Sequence, residues 1–528
     1  MENLPADLVL RICQSLCRHC ESPNAFPHLE IWAIREDKGA LANLAATCSW
    51  CRSFAQPVLF HYFATGNLVP RNPRQRDGIN SHPRDFPARD GMLPLFIRSA
   101  IQRPDLAAKV KALQLVQSLQ LSDNPDEYVS YIRPWRQQIR AGERDLIPSD
   151  EIDACADSVR AILEKAYRGA STHEHADSWK AEIRQWLDGT AGPGRDWLIQ
   201  LALLLVPNLE RLSVARDSHS GLILELGNAS LRSLKSLALQ PWQDHFHIEE
   251  AGALFAAAPN LEVLYAFGCG GKDQFYYGPA PPFVPFKLNL GNLQKLVING
   301  IEFFDLAMLL PACPQLQELQ YDRPEEELVV LDTMPLDALR PIQKTLRSLR
   351  IRFTKFSVLN EPPRTHPRNV TAIESFRDFV ALEDLMIEHA AVDCPPSPTL
   401  RGRQLVDWLP PSIERVHFRE VPNDQLMPFL DHLSALALGA PSALPRLRSV
   451  RLTLMDSFVS WQDADSWCHN TNSCWQLPLR RVVTELARAE IALDVHGDPA
   501  RERKEVPWLH NIHPDLADKA RRFGFDSF

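Results

Sequence analysis

The sequence predicts an α/β fold, in which a small all-helical N-terminal module precedes a long, irregular solenoid of strand-plus-helix repeats with a helical insertion. Three observations predict it. A short apolar frame recurs through most of the chain, prolines stand just before several copies of that frame, and amphipathic apolar segments fill the first part of the sequence. The proportions of hydrophobic residues, 45%, and of charged residues, 23%, are those of a globular protein.

The charge balance and the cysteine usage argue against several classes of function. The 528 residues include 57 Lys and Arg against 66 Asp and Glu, and this net charge of -9 argues against a nucleic-acid partner. The first residues lack the basic region of a secretory signal, and the longest apolar run, 197–206, is shorter than the ~20 residues that span a membrane. Eleven scattered cysteines are typical of reduced thiols. We therefore expect a cytoplasmic or nuclear protein, or one present in both compartments, with no membrane partner.

The N-terminal module is predicted to span residues 1–63. Apolar residues four positions apart give one face of a first helix, and a leading Leu-Pro pair precedes it. The apolar pieces are, in chain order, Leu4-Pro5, the helix with Leu8 and Ile12, the helix with Leu41, Leu44 and Cys48, and the closing Pro57-Val58-Leu59-Phe60.

In this order the pieces resemble an F-box, with a Pro-rich and charged segment at 21–39 as an extra stretch between the two halves. The resemblance implies that the module docks a Skp-type adaptor protein, and through it a cullin. The positions that match the family and would contact the adaptor are Leu4, Pro5, Leu8, Ile12, Leu41 and Leu44. Alternatively, the helices only cap the repeat array, because the end of a solenoid must cover its apolar face.

Residues 64–91, rich in proline and arginine, are predicted to form a flexible linker. Residues 92–205 are predicted to hold a first repeat strand, marked by Val110, Leu113 and Leu115, followed by the helical insertion. Residues 206–495 form the predicted repeat array, and residues 496–528 form a C-terminal tail that caps it.

The recurring frame of the array is Leu, two residues, Leu, one residue and a further apolar residue. The spacing of two between its last apolar positions indicates a strand, and a preceding proline ends the helix before it. The copies are Leu209-Leu212-Val214, Leu234-Leu237-Leu239, Leu261-Leu264-Ala266, Leu293-Leu296-Ile298, Leu316-Leu319-Tyr321, Leu346-Leu349-Ile351, Leu382-Leu385-Ile387, Ile413-Val416-Phe418 and Leu447-Val450-Leu452.

This frame resembles that of leucine-rich repeats, whose units stack because none can bury its own apolar face. The intervals are mostly longer than the usual ~20–29 residues, which favours an irregular array. An F-box followed by leucine-rich repeats is a recurring combination. It implies the substrate-recognition subunit of a Skp–cullin–F-box ubiquitin ligase, a non-catalytic adaptor without a cofactor. The alternative is a leucine-rich-repeat scaffold for protein interactions with no ligase role.

In each frame the apolar residues are predicted to point into the core. The residues that alternate with them along the strand are predicted to line a concave face that binds the target protein. Its C-terminal half is rich in arginine, which suits an acidic or phosphorylated target. A charged, solvated face without a ligand is the alternative. The candidate residues are Arg211, Tyr265, Lys295, Arg350, Arg352, Arg415, His417, Arg419 and Arg451.

Two Cys-x-x-Cys pairs, Cys17 with Cys20 and Cys48 with Cys51, have the spacing of zinc ligands. The pairs are far apart in sequence and lie in predicted helices, where cysteines pack as small apolar residues. We therefore expect no metal. The cysteine pairs are also the sole basis for a third alternative, a metal-dependent enzyme.

Overall fold

The computed structural model describes the chain in segments. The described residues are 4–21, 31–64, 92–116, 195–216, 231–241, 246–266, 269–270, 286–301, 303–322, 336–352, 375–389, 392, 405–421, 423–454 and 476–497. They belong to two compact units, Met1–Leu261 and Glu262–Phe528. The boundary between the units falls inside the predicted repeat array and not after the N-terminal module.

Helices dominate the start of the first unit. They are α1 (Ala6–Ser15), α2 (Arg18–Glu21), α3 (Ile31–Thr47), α4 (Ser49–Leu59), α5 (Met92–Gln102), α6 (Pro104–Ala107), α7 (Arg195–Leu205) and α8 (Gly252–Ala257), with a 3₁₀ turn at Ile248–Ala251. Helices α1, α3 and α4 enclose a small core built on Val9, Cys13, Leu41, Ala55 and Val58.

The first unit contains four parallel strands that pair in the order in which they occur in the chain. These are β1 (Tyr62–Ala64), β2 (Ala112–Val116), β3 (Arg211–Arg216) and β4 (Ser236–Pro241), and a two-residue strand, β5 (Phe246–His247), follows. Their register aligns Phe63, Leu113, Leu212 and Leu237 in one row.

The second unit repeats this pattern with more strands. Its strands are β6 (Val263–Ala266), the two-residue β7 (Cys269–Gly270), β8 (Lys295–Asn299), β9 (Glu318–Asp322), β10 (Ser348–Arg352), β11 (Asp384–Glu388), β12 (Arg415–Val421), β13 (Ser449–Leu454) and β14 (Ala492–Gly497). Apart from β7, consecutive strands pair in parallel and in chain order from β6 to β14. Such an arrangement is compatible with the predicted solenoid, since each unit of the chain adds one strand beside the last.

Helices connect these strands. They are α9 (Phe303–Leu309), α10 (Leu336–Leu339), α11 (Leu405–Trp408), α12 (Asn423–Ala443) and α13 (Gln476–Arg488), with 3₁₀ turns at Leu310–Ala312 and Arg340–Ile342. The mixed α/β architecture with parallel strands is therefore confirmed. Among the described residues, no helix combines the length and hydrophobicity needed to cross a membrane.

Every copy of the apolar frame enters a strand of the sheets, as predicted. In β10, for example, the frame residues Leu346, Leu349 and Ile351 are all fully buried, and each of the other copies is buried at its three positions. Burial of these side chains supplies the main driving force for stacking the strands.

The prolines have a more specific role than the predicted ending of a helix. The Leu209 amide donates to the Val206 carbonyl at 3.2 Å, so Pro207 occupies the second position of a tight turn just before β3. The same hydrogen bond joins Leu261 to Ala258 around Pro259, at 3.2 Å. Proline suits this position because its φ angle is already that of the turn. The excess of 42 prolines in the chain thus reflects in part repeated turns at the strand entrances.

Two strands of the parallel series, β1 and β14, were not predicted, and neither were the two-residue strands β5 and β7. β1 adds a strand at the end of the N-terminal module, and β14 adds one that extends into the predicted tail. The predicted linker beyond Ala64, the part of the predicted helical insertion at 117–194, and the tail beyond Gly497 lie outside the described residues.

Candidate functional site

An exposed apolar row runs along α1. The Leu8 and Val9 amides both donate to the Pro5 carbonyl, at 3.0 and 3.2 Å, so the predicted Leu-Pro pair does start the helix. Val9 and Cys13 are buried, whereas Leu4, Leu8 and Ile12 are 38%, 47% and 48% exposed. Residues four apart lie on one face of a helix, so Leu8 and Ile12 share a face of α1, and the exposed Leu4 and Pro5 come immediately before its first turn. We call Leu4, Leu8 and Ile12 the α1 row.

The other two residues predicted to contact the adaptor lie elsewhere. Leu41 is 1% exposed and belongs to the core between α1, α3 and α4. Leu44 is half-buried and packs against the same core. Leu41 is therefore unavailable to a partner, and its place in the apolar pattern reflects packing of the module. The exposed candidate surface is the α1 row and Pro5.

The predicted arginine face is partly assembled by the strands of the second unit. Arg350, Met386, His417 and Arg451 lie in one row across β10 to β13. His417 Nε2 is 2.7 Å from the Thr453 hydroxyl. Burial, with help from the surrounding arginines, lowers the pKa of His417 to about 3, so its ring is neutral and is no cation for a target.

Carboxylates of the same sheet partly neutralise this face. Arg451 Nε lies 3.0 Å from Asp494 Oδ2, and Arg415 lies 3.7 Å from Asp384. Arg352 is buried and lies 3.9 Å from Asp322. Burial also lowers the pKa of Arg352 to about 10. An acidic target would have to compete with these carboxylates.

Arg350 and Arg419 differ from the other arginines of this face. Both are half-buried, and within the described segments neither forms an ion pair with an acidic side chain. They are the two arginines whose positive charge is available to a ligand without breaking an existing pair.

The remaining predicted target contacts are occupied by the protein itself. Arg211 is 7% exposed and donates from Nη2 to the His19 carbonyl at 2.9 Å. Tyr265 is buried, and burial raises the pKa of its hydroxyl to about 12. Lys295 pairs with Glu318 at 3.0 Å. Arg211 and Tyr265 are therefore not available as exposed contacts, because both side chains are buried.

The structure does not bring the two Cys-x-x-Cys pairs together. Cys48 is the N-cap of α4, where its sulfur accepts a hydrogen bond from the Cys51 amide at 3.4 Å. Cys51 is buried. Cys17 and Cys20 lie instead with His19 and His61, two histidines that were not among the predicted site residues.

The thiols of Cys17 and Cys20 are electrostatically distinct. A hydrogen bond from the Cys20 thiol lowers the pKa of Cys17, and the same interaction raises the pKa of Cys20. Burial and the nearby Arg211 guanidinium lower the pKa of His19. The Cys17 thiol is therefore the more acidic of the two.

No protein-family model matches the chain, and no curated protein is significantly similar to it.

Proposed function

We propose that this chain is the substrate-recognition subunit of a Skp–cullin–F-box ubiquitin ligase. In this proposal the N-terminal module is an F-box that docks a Skp-type adaptor, and the strands and helices that follow are a leucine-rich-repeat solenoid that holds a target protein. In this proposal the chain performs no chemistry itself, and other subunits carry out ubiquitin transfer.

The α1 row is the observation that carries the proposal. An apolar side chain on a helix normally faces the core of the protein. Here Val9 and Cys13 occupy the core of the module, whereas Leu4, Leu8 and Ile12 are exposed. The resemblance to F-box proteins places adaptor contacts on this same helix. Fully burying an exposed side chain of this size contributes roughly 1.5–3 kcal/mol, so covering these half-exposed side chains would contribute about half of that each to association.

Target recognition is proposed to use the arginine face around His417. Arg350 and Arg419, which form no ion pair within the described part of the chain, lie near a neutral histidine, a combination that favours carboxylate or phosphate groups. A pool of acidic peptides, with and without phosphoserine, is a suitable probe. Arg350→Glu/Arg419→Glu should abolish its capture. Arg446→Glu, which reverses one exposed charge before β13, should leave capture unchanged.

The test of adaptor docking compares the wild-type chain with Leu8→Asp/Ile12→Asp in a pull-down with a purified Skp-type adaptor. Both substitutions change exposed residues, so the variant should fold while losing the adaptor. Leu438→Asp is the matched control, because Leu438 is an apolar residue that is 75% exposed on α12, in the second unit.

A second candidate function is a repeat scaffold whose N-terminal helices are only a cap. It is favoured by the firm attachment of the helical module to the first strands. β1 pairs directly with β2, and Arg211 at the start of β3 binds the His19 carbonyl. A folded wild-type chain that captures no Skp-type adaptor would support the scaffold and contradict the ligase subunit.

A further inference from the structure

Four potential metal ligands meet in the first unit, where α1 ends, α2 begins and β1 is about to start. The Sγ atoms of Cys17 and Cys20 and one ring nitrogen each from His19 and His61 all lie within 4.8 Å of one another. The Cys20 sulfur is 3.3 Å from His61 Nδ1 and 3.8 Å from His19 Nδ1. In a tetrahedral zinc site with Zn–S near ~2.3 Å and Zn–N near ~2.0–2.1 Å, ligand atoms are roughly 3.3–3.8 Å apart.

The backbone holds these ligands in place. The Cys20 and Glu21 amides donate to the Cys17 carbonyl at 2.8 and 2.9 Å, which sets Cys17 and Cys20 on one side of the first turn of α2. The His61 carbonyl accepts from the Lys111 and Ala112 amides, both at 2.8 Å, so His61 is fixed to the start of β2.

A carboxylate orients one of the histidines. His19 Nε2 is 3.3 Å from Glu210 Oε2, and the other oxygen of Glu210 is 2.6 Å from Lys111 Nζ. A proton on His19 Nε2 that is donated to Glu210 leaves the lone pair on Nδ1, the nitrogen that faces Cys20. Histidine ligands of zinc commonly donate their other ring nitrogen to a carboxylate in this way.

We propose that Cys17, His19, Cys20 and His61 bind one Zn²⁺ ion. Two sulfur and two imidazole ligands are the donor set that favours tetrahedral zinc among the common divalent metals. Because the protein supplies all four ligands, no coordination position is left for a substrate, and the ion is structural. The ion links the segment between α1 and α2 to His61, the residue that precedes β1. It thereby attaches the helical module to the first strands.

The proposal differs from the cysteine pairing suggested by the sequence in two ligands, and this difference supplies its control. Cys20→Ser and His61→Gln remove proposed ligands. Cys48→Ser removes a cysteine of the same module that is not in the group, and serine is itself a good N-cap for α4.

The experiment measures zinc by mass spectrometry in the full-length chain, purified without a metal-chelating resin and dialysed against Zn²⁺. The wild type and Cys48→Ser should each retain about one equivalent of zinc more than Cys20→Ser and His61→Gln. A wild type without bound zinc, or zinc that is lost in Cys48→Ser but kept in Cys20→Ser, would overturn the proposal.

Two further measurements keep the proposal testable if a ligand variant does not fold. Cobalt bound by the wild type should show the absorption of a tetrahedral site with thiolate-to-metal charge transfer, and a spectrum without thiolate bands would contradict the assignment. Glu210→Gln should weaken zinc affinity by about 10-fold or more without changing the stoichiometry. Wild-type affinity in Glu210→Gln would show that the carboxylate does not support a zinc-bound His19.

Discussion

The His19 imidazole lies 3.3 Å from the Glu210 carboxylate, although the two residues are 191 positions apart in the chain. Glu210 immediately precedes β3, and its backbone carbonyl accepts from the Lys235 amide at the entrance of β4. The contact therefore connects the end of α1 and the start of α2 with the first parallel strands. A helical module attached in this way presents the α1 row from a defined position within the first unit.

Leu41→Ala is expected to destabilise the N-terminal module by about 2–5 kcal/mol, because it empties a fully buried site between α1, α3 and α4. Leu8→Ala should change stability by less than about 0.5 kcal/mol, because Leu8 is 47% exposed and lies outside the core of the module. Urea unfolding followed by circular dichroism and tryptophan fluorescence measures both. Equal destabilisation by the two substitutions would place Leu8 in the core and contradict the exposed α1 row.

Glu490→Gly is expected to stabilise the protein by about 1 kcal/mol. Glu490 follows α13 with a φ of 60°, in the left-handed region that favours glycine. The Ile491 amide donates to the Leu486 carbonyl at 2.9 Å and the Glu490 amide to the Ala487 carbonyl at 3.1 Å, the two bonds of a Schellman cap. Glu490→Ala removes the same charge but keeps the Cβ atom, so it should give no such gain in thermal unfolding. A gain as large in Glu490→Ala would assign the effect to charge.

His417 is expected to make the second unit less stable in acid. Its ordinary pKa of 6.5 falls to about 3 in the folded protein, mainly because the ring is buried. Between those pH values the unfolded chain binds a proton that the folded chain does not, so stability declines as the pH falls through this window. His417→Gln should lose less stability than the wild type between about pH 7 and pH 5 in urea unfolding.

The control for this pH dependence is His432→Gln, which removes an exposed histidine from α12. It should keep the decline in stability of the wild type. A decline that is unchanged in His417→Gln would show that the His417 ring is protonated in the folded protein.

Much of the fold could be predicted from the sequence, because the frame residues are buried beside a strand in every copy. Strands β1 and β14 were missed because their frames depart from the leucine pattern. The register of β14 with β13 pairs Leu493 with Val450, so Glu490 stands where Leu447 begins the preceding frame. In β1 the residue aligned with Leu113 is Phe63. Neither strand was recognisable without its pairing partner.

The candidate sites were less predictable, because periodicity does not say which apolar face is covered. Leu8 and Leu41 fit the same helical pattern, yet one is exposed and the other buried. Three of the four proposed zinc ligands, Cys17, His19 and Cys20, stand close together in the sequence and could be recognised from it. The fourth, His61, joins them only when the end of the module meets β2, a contact that local sequence does not reveal.

The most direct test of the proposed function is the affinity of the full-length chain for a purified Skp-type adaptor, measured by calorimetry. The account predicts a stable one-to-one complex for the wild type and for Leu438→Asp. It predicts a loss of affinity of at least about 100-fold for Leu8→Asp/Ile12→Asp, since two apolar contacts become buried charges. An unchanged affinity in the double variant, or no complex with the folded wild type, would contradict adaptor docking through the α1 row.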